Sequence, residues 1–259
     1  MKISIASYSF HGLTGAGMMD AFGYLETVKY RYRLDTADFW NGTMGPIDPD
    51  HLAKVKQAMA EREMVLANYH VDGVHVWEDD PEARERNYRE ALEHLKAAAY
   101  LGARTVRIDM GGAGEELTDE QFDVVARRYR EYAEFAGEHG FKVGPETHWG
   151  PSLTPSVMRR VHDAVAHPAY GLLLHIGHWI DGHEDEGDRM AAPWAIHTHV
   201  DANITRTCLE EKIRLLLDAG YDGYWGVEHH SAHNEYAEVA CQLAEVQRAV
   251  TRLAEGPAQ

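Results

Sequence analysis

The sequence predicts an α/β protein, a single (β/α)8 barrel domain over residues 1–259. Three observations carry this. Eight short apolar runs alternate with eight helix-like runs. The apolar runs are near-continuous, as parallel strands covered on both faces should be. Polar and titratable residues gather just after those runs, where such barrels keep their chemistry. A doubly wound open sheet is the rival. It would need a G-x-G-x-x-G turn after strand one, and "HGLTGAG" (11–17) lacks that spacing.

The elements run in pairs. "KISIASYSF" (2–10) reads as strand one, with a helix over 19–32. "RLDTADFW" (33–40) precedes a helix over 49–63, and "MVLANYHV" (64–71) a long helix over 81–101. "RTVRIDMGG" (104–112) leads to 119–138, where "LTDE" (117–120) offers Thr118 or Asp119 as N-cap. "FKVGPET" (141–147) leads to 155–166. "YGLLLHIG" (170–177) is followed by an acidic stretch and a short helix over 188–192, with "DGHEDEGD" (181–188) read as a solvated loop. "WAIHTHVD" (194–201) leads to 206–219, and "GYWGVEHH" (223–230) to 235–253. Gly102, Gly140 and Gly220 stand where helix C-caps belong.

Composition narrows the function. The net charge of −17, from 42 acidic and 25 basic residues, repels phosphate backbones and argues against nucleic acid as a partner. Two cysteines, Cys208 and Cys241, make no disulfide framework and no Cys-type zinc site, which fits a reducing compartment. No apolar run approaches the roughly 20 residues that span a bilayer. The first residues lack a leader's apolar core and cleavage site. The expectation is a cytoplasmic protein with no membrane partner.

The second half of the chain is the informative one. Strands five to eight end in Glu146, His175, His199 and Glu228. Adjacent strands lie about 4.8 Å apart, so four such side chains can converge on one ion. Two carboxylates and two imidazoles suit Mn, Zn, Co or Fe better than Mg. Taken singly, each has a plainer reading. A Glu at a strand end is commonly solvated or caps a helix, and a lone His on an apolar strand is commonly a packing residue. Four on four consecutive strands point to a metal. His148, His178, His70, His230, Arg107 and Trp40 fall at the same level. Arg107 equally suits a core ion pair with Asp109, and Trp40, Trp149 and Trp179 equally suit rim packing.

At these residues the chain resembles the sugar phosphate isomerase/epimerase family of xylose-isomerase-like barrels. "ETHWG" (146–150) is similar to the family's Glu-x-His-x-Gly segment. "HIGH" (175–178) stands where the family has Asp-x-x-His. "HTHVD" (197–201) matches the strand-seven His at His199, and "GYDGYWGVEHH" (220–230) the Gly-Tyr-x-Gly segment that ends in the last ligand, here Glu228. The resemblance implies metal ligation by Glu146, His175, His199 and Glu228. It implies a ketose chelated by the ion, with Glu146 and Glu228 as acid and base through an enediolate. It draws substrate contacts from His178, His148, Arg107, His70 and Trp40, and implies a homodimer.

Two departures qualify this. His175 replaces the family's Asp, so either an imidazole ligates there or Glu146, His199, Glu228 and water complete the site. Asp201 stands where the family commonly has Lys, which suits an unphosphorylated sugar or polyol. Isomerisation or epimerisation is the first reading. A lyase on the same scaffold is the second: inosose dehydration, or β-elimination from a 3-keto sugar or glycoside. A DNA-repair endonuclease, which shares this barrel, is opposed by the charge. A non-catalytic barrel with a decayed site would explain both departures.

Overall fold

The structure is a computed structural model, and it describes residues 2–254. Eight parallel strands close into a barrel: β1 (Ile3–Ile5), β2 (Thr36–Trp40), β3 (Val65–Val71), β4 (Thr105–Ile108), β5 (Lys142–Gly144), β6 (Leu172–His175), β7 (Ala195–Val200) and β8 (Trp225–Val227). They form two four-stranded runs, β2-β3-β4-β5 and β1-β8-β7-β6. Parallel bridges join the runs, Ala6 to Asp38 on one side and Val143 to Tyr170 and Glu146 to Leu173 on the other. At the second seam the backbones nearly touch. A Cβ on Gly144 would sit 1.7 Å from the carbonyl oxygen of Gly171, so only glycine permits the approach that brings Glu146 beside β6.

The principal outer helices are α1 (Ala21–Glu26), α2 (Pro49–Glu61), α3 (Pro81–Leu101), α4 (Asp119–His139), α5 (Pro155–Val165), α6 (Glu184–Ala191), α7 (Leu209–Asp218) and α8 (Glu235–Ala254). Local chemistry sets their ends. Asp48 and Asp80 each accept two backbone N–H bonds ahead of a proline at the first helical position. Thr118 closes α4 in a capping box with Gln121, which decides between the two N-cap candidates. Gly102 and Gly140 end α3 and α4 in the left-handed conformation, φ 77° and 78°.

Three sequence expectations are corrected. The acidic stretch 181–188 is largely exposed over 181–186, as expected, but it is not all loop and its end is buried. It enters α6 at Glu184, and Asp188 is fully buried, accepting from Gly177 N and Trp179 Nε1 and pairing with Lys212 at 2.8 Å. The partner lies on α7, so nothing local marked this aspartate as buried. The run 19–32 is not one α-helix, because α1 widens into a π-turn over Thr27–Arg31. The helix over 206–219 breaks at Cys208, and a separate short helix, Ala202–Thr207, is capped by Asp201.

The interior is not wholly apolar. Asp38, fully buried on β2, accepts from Ser4 Oγ on β1 (2.9 Å) and Asn68 Nδ2 on β3 (2.9 Å). Thr105 Oγ1 on β4 donates to Asn68 Oδ1 (2.9 Å). A register shift between Ala37 and Asp38 sets Asp38 opposite Asn68. This polar layer fills the barrel directly beneath the mouth.

Candidate metal centre and active site

Four elements deliver four side chains to the C-terminal mouth. His175 is the last residue of β6, paired in register with His199 on β7. Gly226 of β8 pairs with His199, which places Glu228 two residues on at the same level. Glu146 follows β5 and bridges to Leu173. All four are buried: Glu146 is 2% exposed, His175 4%, His199 0% and Glu228 6%.

Their ligating atoms face one another. Glu146 Oε1 lies 3.2 Å from His175 Nδ1 and 3.1 Å from His199 Nδ1. Glu228 Oε2 lies 3.6 Å and 3.4 Å from the same two nitrogens. One ligand atom from each of the four lies within 4.8 Å of all the others. Burial should push both carboxyls up, but the charged neighbours outweigh it. Arg107 and His199 hold Glu146 well below the usual carboxylate range, and His199 with His230 does the same for Glu228. Burial should depress His199, yet Glu228 and Glu146 hold it well above the ordinary histidine value. Two ionised carboxylates and two imidazole Nδ1 atoms aimed at one point fit a divalent transition ion. His175 contributes a ring nitrogen to this set.

Arg107 braces the cluster from β4. Its Nη1 donates to Asp72 Oδ1 (2.6 Å) and Asp109 Oδ2 (2.9 Å). Its Nε lies 2.9 Å from Glu146 Oε2 with the N–H out of line. The expected pair with Asp109 is therefore present, within a wider network. His148 Nδ1 shares Asp109 Oδ2 at 3.0 Å. Burial lowers His148, but Asp109 and Glu146 outweigh it and raise it to about 9, so the ring is an imidazolium at neutral pH. His70, fully buried, is pushed down to about 4 and stays neutral. Burial and His175 lower His178 as well.

Above these residues opens a cavity of about 490 Å3, within the size range of small-molecule sites. His70, Arg107, His148 and His178 all line it. Trp40 does not. Its Nε1 donates to Asp72 Oδ2 (2.7 Å) and its ring meets the edge of Tyr8 one layer out. Tyr8 and Asp72 line the cavity too, and sequence reasoning gave them no role; Trp149, read from the sequence as suited to rim packing, also lines it. Tyr8 and Asp72 sit just past β1 and β3, so the strand-end rule that found the others also covers them. His230 reaches the cavity and sets its Nε2 2.9 Å from Glu228 Oε2, while His229 is buried behind it.

Residues 32–250 match the sequence profile of a family described as "Xylose isomerase-like TIM barrel". No curated protein matches the sequence. Among solved structures, the 3-keto-D-glucoside 4-epimerase YcjR of E. coli superposes with a TM-score of 0.75 at 14% identity, covering 97% of this chain and 100% of its own. A xylose isomerase-like TIM barrel protein of Mycobacterium smegmatis, in complex with magnesium, gives 0.73 at 16%, covering 96% and 97%. The probable 3-DHS dehydratase AsbF of Bacillus anthracis, involved in petrobactin synthesis, gives 0.73 at 14%, covering 97% and 99%. At these identities the likeness is one of fold.

Proposed function

The chain belongs to the xylose isomerase-like TIM barrel family, and on that premise we propose that it is a divalent-metal-dependent isomerase or epimerase of an unphosphorylated ketose or related polyol-ketone. The observation that carries this is the convergence of the buried Glu146 and Glu228 with the Nδ1 atoms of His175 and His199. Glu146, His175, His199 and Glu228 would hold one ion. When bound, the ion supplies Lewis-acid polarisation of the substrate carbonyl and neutralises developing oxyanion charge. The second imidazole favours Mn, Zn, Co or Fe over Mg.

The chain's own residues divide the proton work. Glu228 Oε1 has no hydrogen-bond partner among the described residues, whereas Glu146 Oε2 is held beside Arg107. Glu228 is thus the freer base and takes the proton beside the carbonyl, leaving an enediolate. Glu146, on the other side of the site, exchanges a proton with the opposite face. His148, His178 and His70 meet substrate hydroxyls. The unphosphorylated substrate rests on charge. Among the described residues no lysine lines the cavity, and Arg107 is already engaged by Asp72, Asp109 and Glu146. Asp201, at the position where the family has Lys, caps a helix through Ile204 N.

A second reading has one observation in its favour. His148 lines the cavity with its Nδ1 3.0 Å from Asp109 Oδ2, a pairing that favours the imidazolium, and that ring would protonate a leaving hydroxyl and turn the same enolate toward elimination. The probable dehydratase fold relative is consistent with this lyase. The test is a panel of neutral ketoses and 3-keto glycosides in D2O with Mn2+ or Co2+. Deuterium at the carbon beside the carbonyl without an ultraviolet-absorbing product supports isomerisation, and an unsaturated product supports the lyase. Neither exchange nor product rejects both. Glu228→Gln should reduce exchange by about 10²–10⁴-fold.

A further inference from the structure

Asp38 lies under the metal site, fully buried, and its surroundings are all donors. Ser4 Oγ and Asn68 Nδ2 each donate to it at 2.9 Å. Three imidazole Nε2 atoms face it as well. His197 Nε2 is 2.8 Å from Oδ2, His199 Nε2 is 3.8 Å from Oδ2, and His70 Nε2 is 3.9 Å from Oδ1. The last two have no hydrogen-bond partner among the described residues, and both rings are at least 99% buried.

Proton accounting fixes what these rings carry. Arg107 has only donors, so His70 Nδ1, 3.3 Å from Arg107 Nη2, must accept. The neutral His70 therefore carries its proton on Nε2, turned toward Asp38. Both Asp38 oxygens already accept hydrogen bonds, and the Nε2 proton of His70 is one more donor turned toward them. His199 then has one chemically distinct nitrogen for each neighbour. Nδ1 faces Glu146 and Glu228, and Nε2 faces Asp38. Gly226 makes room for the arrangement, since a Cβ there would come within 2.9 Å of His197 Nε2 and 3.0 Å of His199 Cδ2.

We infer that Asp38 is a positioning residue that holds the Nε2 proton of His199 and thereby turns the Nδ1 lone pair to the metal site. This rests on the metal-dependent reading proposed above. A carboxylate behind a ligating imidazole fixes its tautomer and raises its basicity, and losing one costs about 10–100-fold in metal affinity. His197, Ser4 and Asn68 hold Asp38 in place for this role.

The test compares wild type and Asp38→Asn, both stripped with chelator and titrated with Co2+ while visible absorption is followed. The variant should bind Co2+ about 10–100-fold more weakly. A variant whose metal-free melting falls while its Co2+ affinity stays at the wild-type value overturns the inference, because Asp38 would then be only a core residue. A second measurement covers a variant that does not fold. In 15N-labelled wild type loaded with Zn2+, with His199→Gln for assignment, His199 Nε2 should be protonated, and a bare Nε2 overturns the inference. Wild type that binds no metal removes the metal reading alone. The His199 15N shifts of metal-free wild type and Asp38→Asn then decide whether Asp38 holds this ring: a change centred on Nε2 supports the hold, and unchanged shifts overturn it.

Discussion

Each end of the barrel holds a cavity, and the two differ in what lines them more than in size. The one at the N-terminal end is the larger, about 570 Å3 against 490 Å3 at the mouth. Its charged residues are Lys2, Arg104, Lys142 and Asp222, all exposed at strand starts or in a loop. Lys2 pairs with Asp222 at 2.7 Å in open solvent, where such a pair is worth about 0–1 kcal/mol. At the mouth, Arg107, Glu146, His175, His199 and Glu228 are each no more than 6% exposed and lie against one another. Withdrawing an ion from water costs several kcal/mol unless partners compensate. A fold keeps such a cluster only where the charges satisfy one another or a ligand completes them. Convergent buried charge, not volume, distinguishes the mouth.

The largest expected effect breaks or secures that contrast directly. A ligand at about 100 times its Kd stabilises the folded state by about 2.7 kcal/mol. At the 2–4 °C per kcal/mol typical of chains near this size, melting should rise by about 5–10 °C when chelated protein receives Mn2+ or Co2+. Glu146→Ala should abolish the rise, and turnover should vanish with chelator and return with the ion. Calorimetric melting with and without ion checks it. An equal shift in Glu146→Ala would place the ion elsewhere and leave the mouth cluster as a structural network.

His94 sharpens the comparison from the barrel wall. It is 6% exposed, as buried as the mouth histidines, but its ring meets a single polar partner, Tyr69 Oη at 2.7 Å. Burial pushes it down to about 4. The unfolded chain takes up this proton near 6.5, before the folded one does. Its contribution is therefore complete above pH 6.5 and is lost as pH falls from 6.5 toward 4, by at most about 3 kcal/mol. His94→Gln should flatten the stability profile over that window, read as denaturant midpoints at pH 7 and pH 5. Turnover at neutral pH should not change, because burial without convergence makes no site.

Much of this was legible in the sequence because a barrel turns position into function. Glu146, His175, His199 and Glu228 stand out as polar residues ending apolar runs, and the order of strands then brings them together. The polar layer beneath was harder to read. Asp38 sits inside a strand, and its partners Ser4, Asn68 and His197 come from three other strands. The His-x-His spacing of "HTHVD" did carry a signal, since residues two apart on a strand share a face. That alone places His197 directly below His199. The burial of Asp188 was hidden because its counter-ion Lys212 comes from α7, while Gly177 and Trp179 reach it from the connection just before α6. Trp40 follows the strand-end rule, yet its indole sits behind Asp72 and Tyr8 and does not line the cavity. Sequence position gives a residue's level in the barrel, whereas side-chain direction depends on the partner it finds.

The smallest expected effect lies at the other end. Arg104 and Lys142 start neighbouring strands, with Lys142 N donating to Arg104 O at 3.1 Å, and neither side chain has an ion-pair partner among the described residues. Replacing both with Gln removes two positive charges from the larger cavity without disturbing a backbone hydrogen bond. Exposed substitutions of this kind stay within about 0.5 kcal/mol each, so melting should move by no more than about 2–4 °C. The kcat/KM on a substrate found in the ketose panel should stay within about twofold, because these charges lie at the opposite end of the barrel from the proposed site. Steady-state kinetics on the double variant checks this. A loss of tenfold or more would mean that charge at the N-terminal end acts on the mouth through the barrel, and the two ends would then have to be treated as one coupled system.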